Sequence, residues 1–298
     1  MTLRILSLHT YPVKSCAGLR HDEIRAGTGG LSMDRQWVLV DRYGIFMTQR
    51  QYPRMALIHP AFPEGFDGAL ALSAPGMPVL AVPPAQLHAA PQSAAPAKVP
   101  VRIWGADTLG ADEGDAPAQW LSQFLGTRCR LLRVHPDAHR VASPGRVQAW
   151  REQYGDRAPA LADEHVFAFA DGYPYLVTNQ ASLAELNRRL AAQGAPVVDM
   201  ARFRPNIVVA GLAAYEEDYL CGMRSGALSL AIVKACARCS IPNIDPVTAI
   251  PSPETGLVLA QHRQFAEGVM FGVNAVAACP VGGAVLRTGD ALEPEYTV

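Results

Sequence analysis

Short apolar runs separated by turn-forming residues dominate the chain, and most of them carry the two-residue period of a strand. The first stretch, MTLRILSLHTYPVKS, reads as a strand with Leu3, Ile5 and Ser7 on one face and Arg4, Leu6 and Leu8 on the other. RQWVLVDRYGIFMTQ (35–49) predicts a hairpin: a strand through Trp37 and Val40, a turn at 41–44, and a return through Phe46. MALIHPAF continues the β pattern. Residues 73–100 are rich in Pro and Ala and predict edge strands with a mobile loop, most flexible near 89–98. Further strands are expected at RIWG (102–105), CRLLRV (129–134), RFRPNIVVAG (202–211) and ALSLAIVKA (227–235), and in the tail GVMFGVNAVA and GGAVLRTGDALEP, where RTGD forms a tight turn.

Helical periodicity is confined to a few places. In DAPAQWLSQFLG (115–126), Trp120 and Phe124 share a face, as do Leu121 and Leu125, and Gly126 stops the helix. YLVTNQASLAELNRRLAAQG (175–194) reads as one helix with a Leu183, Leu186, Leu190 stripe, ended by Gly194. Ser182 and Glu185 have capping-box spacing, and Asn179 is an alternative cap. Residues 135–163 are polar and read as a long connection with at most a turn of helix near 147–150. The result is a β-dominated α+β fold with few helices, no internal repeat and no βα alternation of the doubly wound kind.

Composition changes this picture little. The 298 residues are 49% hydrophobic and 18% charged, ordinary for a soluble globular protein. A formal charge of -1 suggests neither a nucleic-acid nor a membrane partner. No run approaches the ~20 apolar residues of a membrane span, and the N-terminus lacks the apolar core of a signal peptide. A cytoplasmic location with reduced thiols is expected. Cys16, Cys129, Cys221 and Cys279 then read as small buried hydrophobes.

The chemistry concentrates at ACARCSIPNIDP (235–246), where Cys236 and Cys239 stand at C-x-x-C spacing. A structural zinc site needs four ligands, but no second C-x-x-C exists and no histidine lies within twenty residues. A thioredoxin-like dithiol opens a helix, which Pro242 and Pro246 oppose. A single thiolate binding a soft transition metal is the third reading. Arg238, next to Cys239, would favour its thiolate form. Lys14 and Ser15 end the first strand, where they suit a phosphate or are simply solvated. In RFRPN, Pro205 is expected to hold Arg204 extended, with Arg204 and Asn206 on one face. An arginine so close to an apolar strand calls for an anionic partner, either a structural carboxylate or a ligand. GTGG (27–30) lacks dinucleotide-binding spacing, and no Walker, G-x-S-x-G or H-E-x-x-H motif occurs.

YPVKSCAGL, DRQWVLVD, MTQRQYPRMALI, RFRPNIVV and CARCSIPNIDPVTA occur in that order. Jointly they resemble the MOSC-domain family, in the branch with a β-barrel N-terminal domain that includes the mitochondrial amidoxime-reducing component and its bacterial relatives. The resemblance implies a β-barrel-like domain over 1–130 and a MOSC domain over 131–298. It implies a molybdenum cofactor, a molybdopterin-held molybdenum with Cys239 as its protein ligand and catalytic residue. Lys14, Ser15, Arg35, Arg204 and Asn206 would contact that cofactor. Asp171, Gly172, Tyr173, Thr178 and Asn179, in the family's segment before the long helix, are further candidates. Arg238, which would tune the Cys239 thiol, and Asp245 are further cofactor-binding candidates; Asp245 and Cys236 would stand just behind the ligand, although Cys236 reads better as a packed thiol. The implied activity is reduction of N-hydroxylated compounds (amidoximes, hydroxylamines, N-hydroxylated bases). Electrons would come from a separate protein of ferredoxin, flavoprotein or cytochrome type. No iron–sulfur motif of C-x₄-C-x₂-C spacing, no N-terminal anchor and no pyridoxal-phosphate half is evident, so neither of those two further cofactors is expected. Two rivals remain: a persulfide carrier using Cys239, and a non-catalytic binding protein for the cofactor.

Overall fold

The computed structural model describes residues 2–63, 68–83 and 97–297. Strand (37%) outweighs helix (23%), the reverse of the usual balance, so the β-dominated α+β expectation holds. The largest sheet has nine strands. Its order runs Glu293–Tyr296, Leu220–Ser225, Leu228–Ala237, Gly268–Ala278, Tyr175–Asn179, Ile207–Ala210, Arg4–Thr10 and Leu19–His21, with Gln264–Phe265 paired to Gly268–Ala278 off this path. The first strand of the chain therefore sits among strands from its second half. A separate antiparallel sheet joins Trp37–Val40, Arg130–Val134, Ala106–Asp112 and Val99–Ile103.

Each sheet has its own core. Leu3, Ile5, Leu8, Tyr175, Val177 and Ile207 pack inside the large sheet. Trp37, Leu39, Met55, Leu121, Phe124 and Leu131 pack between the smaller sheet and helix α1 (Asp115–Leu125). Full burial of such a side chain contributes about 1.5–3 kcal/mol. The two sheets meet where Val13 bridges Trp37 and the Lys14 amide donates to the Trp37 carbonyl at 2.8 Å.

Helix α1 ends as its sequence predicts: Gly126 is left-handed (φ 70°) and its amide returns to the Ser122 carbonyl. Other elements differ from expectation. The 175–194 stretch is not one helix. Residues Tyr175–Asn179 form a mostly buried strand, flanked on both sides in the large sheet: Tyr175 to Val177 pair with Gly268–Ala278 and Val177 to Asn179 with Ile207–Ala210. Helix α3 (Gln180–Ala192) starts after it, capped by Asn179 rather than Ser182. Helix α3 is the crossover between Tyr175–Asn179 and Ile207–Ala210, which pair in parallel, so one βαβ unit is present. The 135–163 connection contains helix α2 (Pro144–Tyr154), and its pattern was faint because only Val147 and Trp150 are buried. Trp150 pins it to the large sheet by donating to the Cys221 carbonyl at 2.7 Å. Helix α4 (Glu254–Arg263) has no counterpart in the sequence reading.

Strict alternation fails in the first strand. A register shift between Ile5 and Ser7 puts Leu8 in the same core as Leu3 and Ile5, while Leu6 packs against the opposite face. In MALIHPAF, a 3₁₀ turn at Pro53–Leu57 precedes the short strand His59–Ala61. Leu80–Val82 is an edge strand, as expected of 73–100. The flexible stretch expected near 89–98 lies, up to residue 96, outside the described residues. Gly272 bends the long strand Gly268–Ala278. Its φ is 76°, and a Cβ there would stand 2.7 Å from the Val177 carbonyl oxygen.

Asn179 is fully buried. It accepts from the Ala181 amide at 3.1 Å and donates to the Ala213 carbonyl at 2.7 Å and to the Glu217 carboxylate at 3.0 Å. Asn179→Ala removes the cap and strips one donor from a buried acid, so we expect a loss of about 2–3 kcal/mol in denaturant unfolding. An unchanged midpoint would contradict this assignment.

Candidate functional site

A cleft with a water-accessible volume of about 230 Å³ opens where the two sheets meet. Four loops and one strand end converge on it. The first strand ends at Thr10, so Lys14 and Ser15 arrive from the loop after it rather than from its end, and Arg35 from the turn before Trp37–Val40. Asp171, Gly172 and Tyr173 precede the strand Tyr175–Asn179. Arg204 and Asn206 enter Ile207–Ala210, and Cys236 to Cys239 leave Leu228–Ala237. Irregular pairing of that last strand between Ile232 and Lys234, and again between Ala235 and Ala237, sits where Lys234, Cys236 and Ala237 reach the cleft. Such bulges re-aim side chains beside sites.

The cleft is cationic and its cations are deeply set. Lys14 is 5% exposed and its ammonium pairs with Asp171. Burial lowers the Lys14 pKa, and Asp171 offsets part of that effect. The surrounding protein works against the Asp171 carboxylate too. The charge and hydrogen bond of Lys14, with the Trp104 indole N–H at 2.8 Å, nonetheless hold it below the ordinary carboxylate range. Arg35 and Arg204 lie over the Tyr11 ring at 4.4 and 4.1 Å. Burial lowers Arg204 to about 10, which still leaves it charged at neutral pH.

Arg204 is not extended. It is left-handed, with φ 54° and ψ 47°, closing the 3₁₀ turn Met200–Phe203. Its guanidinium donates to the Cys16 carbonyl at 2.6 Å, and no ion pair to Arg204 occurs among the described residues. Of the seven non-glycine residues with positive φ among those described, Ser15, Arg35, Trp104 and Arg204 line the cleft. Strain of this kind collects where surrounding structure fixes a functional geometry.

The two cysteines differ. Cys239 is exposed in the loop, whereas Cys236 is partly covered and accepts from Arg238 Nη1 at 3.1 Å. Arg238 therefore meets Cys236, not Cys239. Its Nη2 donates to the Phe203 carbonyl at 2.8 Å, and its buried Nε has no hydrogen-bond partner among the described residues. Cys16, Cys129 and Cys221 are buried and Cys279 is partly so; burial pushes the Cys16 thiol up to about 12.

Three sequence candidates lie outside the cleft. Thr178 is buried in its strand, and Asn179 serves helix α3 and Glu217. Asp245 pairs with Arg202 at 2.8 Å and accepts from the Val247 and Thr248 amides. Asn206 lines the cleft, but its amide is engaged in holding strands together. It donates to Asp34 at 3.0 Å and accepts from the Leu176 amide at 3.1 Å.

Several contributors carry no motif of their own. Asp34 accepts from the Tyr11 amide at 2.8 Å and pairs with Arg35. Arg140 ties the loop before Gly172 by donating to the carbonyls of Ala168, Ala170 and Asp171. Phe46, Trp104 and Lys234 complete the walls. Trp104 and Gly105 are the one sequence clue, a residue pair at the end of a predicted strand.

Among the described residues, no group of three or more His, Cys, Asp or Glu side chains could hold a bare metal ion. One exposed thiol beside buried Lys14 and the half-buried Arg35, Arg204 and Arg238 fits a different guest. That guest is an anion rather than a bare cation.

Residues 2–128 match the MOSC N-terminal beta barrel domain and residues 164–293 the MOSC domain. The chain is 33% identical over 267 residues to mitochondrial amidoxime-reducing component 1 of Homo sapiens, covering 87% of this chain and 72% of that protein. It is 32% identical over 251 residues to mitochondrial amidoxime reducing component 2 of Bos taurus, covering 83% and 68%. Molybdenum cofactor sulfurase of Homo sapiens matches at 27% over 269 residues, 87% of this chain but 28% of that protein. The expected resemblance is borne out, and the chain belongs to the MOSC-domain family in the branch of the mitochondrial amidoxime-reducing components.

Proposed function

We propose that this protein is a molybdenum-cofactor-dependent oxidoreductase that reduces N-hydroxylated compounds with electrons from a separate donor protein. The observation that carries the reading is an exposed thiol, Cys239, on the wall of a cleft lined by Lys14, Arg35, Arg204 and Arg238. The names of the relatives support the substrate class.

In this reading Cys239 is the protein ligand of the molybdenum. Arg35 and Arg204 would hold the anionic end of the molybdopterin, and Lys14 and the Ser15 hydroxyl would be further donors to the same ligand. When bound, the cofactor would supply a two-electron couple at the metal. The overall conversion is R–NHOH + 2e⁻ + 2H⁺ → R–NH₂ + H₂O, with both electrons from the donor protein.

The chain's own residues bind, orient and set charge. The Tyr11 ring contacts both the Arg35 and the Arg204 guanidinium groups and so helps to position two like charges. Asp34 and Asp171 balance part of the positive charge without filling the cleft. Arg140 fixes the loop bearing Asp171. The exposure of Cys239 also suits a persulfide carrier, so the two readings differ in whether the cations are used. A carrier needs the thiol alone, while a cofactor enzyme needs the thiol and the cations.

Wild-type protein made in a cofactor-producing host should turn over benzamidoxime with a reduced dye as donor. Cys239→Ala should retain less than about a hundredth of that rate, since the removed thiolate touches the metal. Equal turnover by the variant would remove Cys239 from the reaction. Arg204→Met keeps an unbranched stem while deleting the charge. Pterin fluorescence after gel filtration should then fall about ten-fold or more, the usual cost of losing a charge-assisted contact to an anion. Full retention would remove Arg204 from cofactor binding, and a wild-type protein that binds no pterin would point to the persulfide carrier.

A further inference from the structure

Trp104 lies at the tip of the hairpin formed by Val99–Ile103 and Ala106–Asp112. Ile103 pairs with Ala106 there, so Trp104 and Gly105 alone turn the chain. Both have positive φ, 51° and 83°. Two-residue turns of this shape favour Asn-Gly, because each central residue must be left-handed. Gly105 suits its place, but a bulky aromatic residue in the left-handed region is an outlier.

No core burial offsets that choice, since Trp104 is 49% exposed. Its indole is instead held from several sides. Nε1 donates to Asp171 Oδ1 at 2.8 Å. The ring meets Phe46 edge-on at 4.9 Å, and the Arg50 guanidinium lies over it at 4.3 Å. Trp104, Phe46 and Asp171 line the cleft, whereas Arg50 does not. Phe46 in turn carries the Lys14 ammonium 5.3 Å from its ring centre. The hairpin tip thus reaches across from the smaller sheet and places an aromatic wall beside the Lys14–Asp171 pair. An Asn-Gly tip would turn more easily and leave that side of the cleft open.

We propose that Trp104 is a binding residue for the ligand of this cleft, an aromatic wall that packs a fused heterocycle against the Lys14–Asp171 end and slows its release. The inference rests on the molybdopterin reading and adds a residue from the N-terminal half that no motif marks. It explains why a strained turn holds the residue type least suited to it. The contribution of Trp104 is to ligand retention, and its cost falls on the fold.

The test uses the full chain as wild type, Trp104→Asn and Trp104→Phe, each made in a cofactor-producing host. Bound pterin is followed by fluorescence through timed dialysis, and Tm is measured on cofactor-free samples. Trp104→Asn should have a Tm no lower than wild type, because Asn-Gly relieves the turn. It should lose pterin about three- to ten-fold faster, the range of one aromatic contact. Trp104→Phe keeps a ring and should release more slowly than Trp104→Asn. Release from Trp104→Asn at the wild-type rate overturns the proposal. So does a lowered Tm accompanying faster release, which would make Trp104 a strut. Wild-type protein that loads no pterin contradicts the reading beneath the proposal, whatever the variants do.

Discussion

Asp34 is a carboxylate with almost no access to water, and three donors meet on it: the Tyr11 amide, the Asn206 side chain and the Arg35 guanidinium. A buried acid must be paired and hydrogen-bonded, or it costs several kcal/mol. Meeting that requirement here joins three separate parts of the chain. Tyr11 follows the first strand, Arg35 precedes the smaller sheet, and Asn206 enters a strand from the second half. The same contacts set the cleft: they put the Tyr11 ring beneath two guanidinium groups and aim Arg35 and Arg204 together.

That arrangement leaves positive charge in excess. Arg35 is matched by Asp34 and Lys14 by Asp171, while Arg204 meets a carbonyl and a ring, and Arg238 a sulfur and a carbonyl. Cations clustered at this depth repel one another, and water reaches them poorly. An anion in the cleft lowers the energy of all of them at once. Positive-φ backbone at Ser15, Arg35, Trp104 and Arg204 shows the same thing from the side of conformation: the chain holds unfavourable local geometry where these side chains converge.

Much of this was legible in the sequence where a motif fixes both residue type and local geometry. The C-x-x-C loop follows a strand as expected, and Lys14, Ser15, Arg35 and Arg204 all reach one cleft. What failed is what periodicity cannot supply. YLVTN continues the apolar pattern of the helix after it, and only pairing on both sides by distant strands makes it a strand. Thr178, Asn179 and Asp245 neighbour cleft residues in sequence, but their side chains are committed to the fold. Proline after Arg204 opposes a right-handed helical conformation and says nothing against the left-handed one observed. Tyr11 and Asp34 open two of the recognised motifs, but their roles, like that of Trp104, come from contacts made across the fold that no local spacing announces.

The central claim is that Cys239 alone would tie this chain to the metal while the cleft cations would hold the rest of the cofactor. The most direct measurement is X-ray absorption at the molybdenum edge on loaded wild-type protein and on Cys239→Ser. The account predicts one sulfur neighbour fewer in the variant, with a lighter atom in its place. An identical sulfur count in the two proteins would contradict it, because the metal would then be held without Cys239.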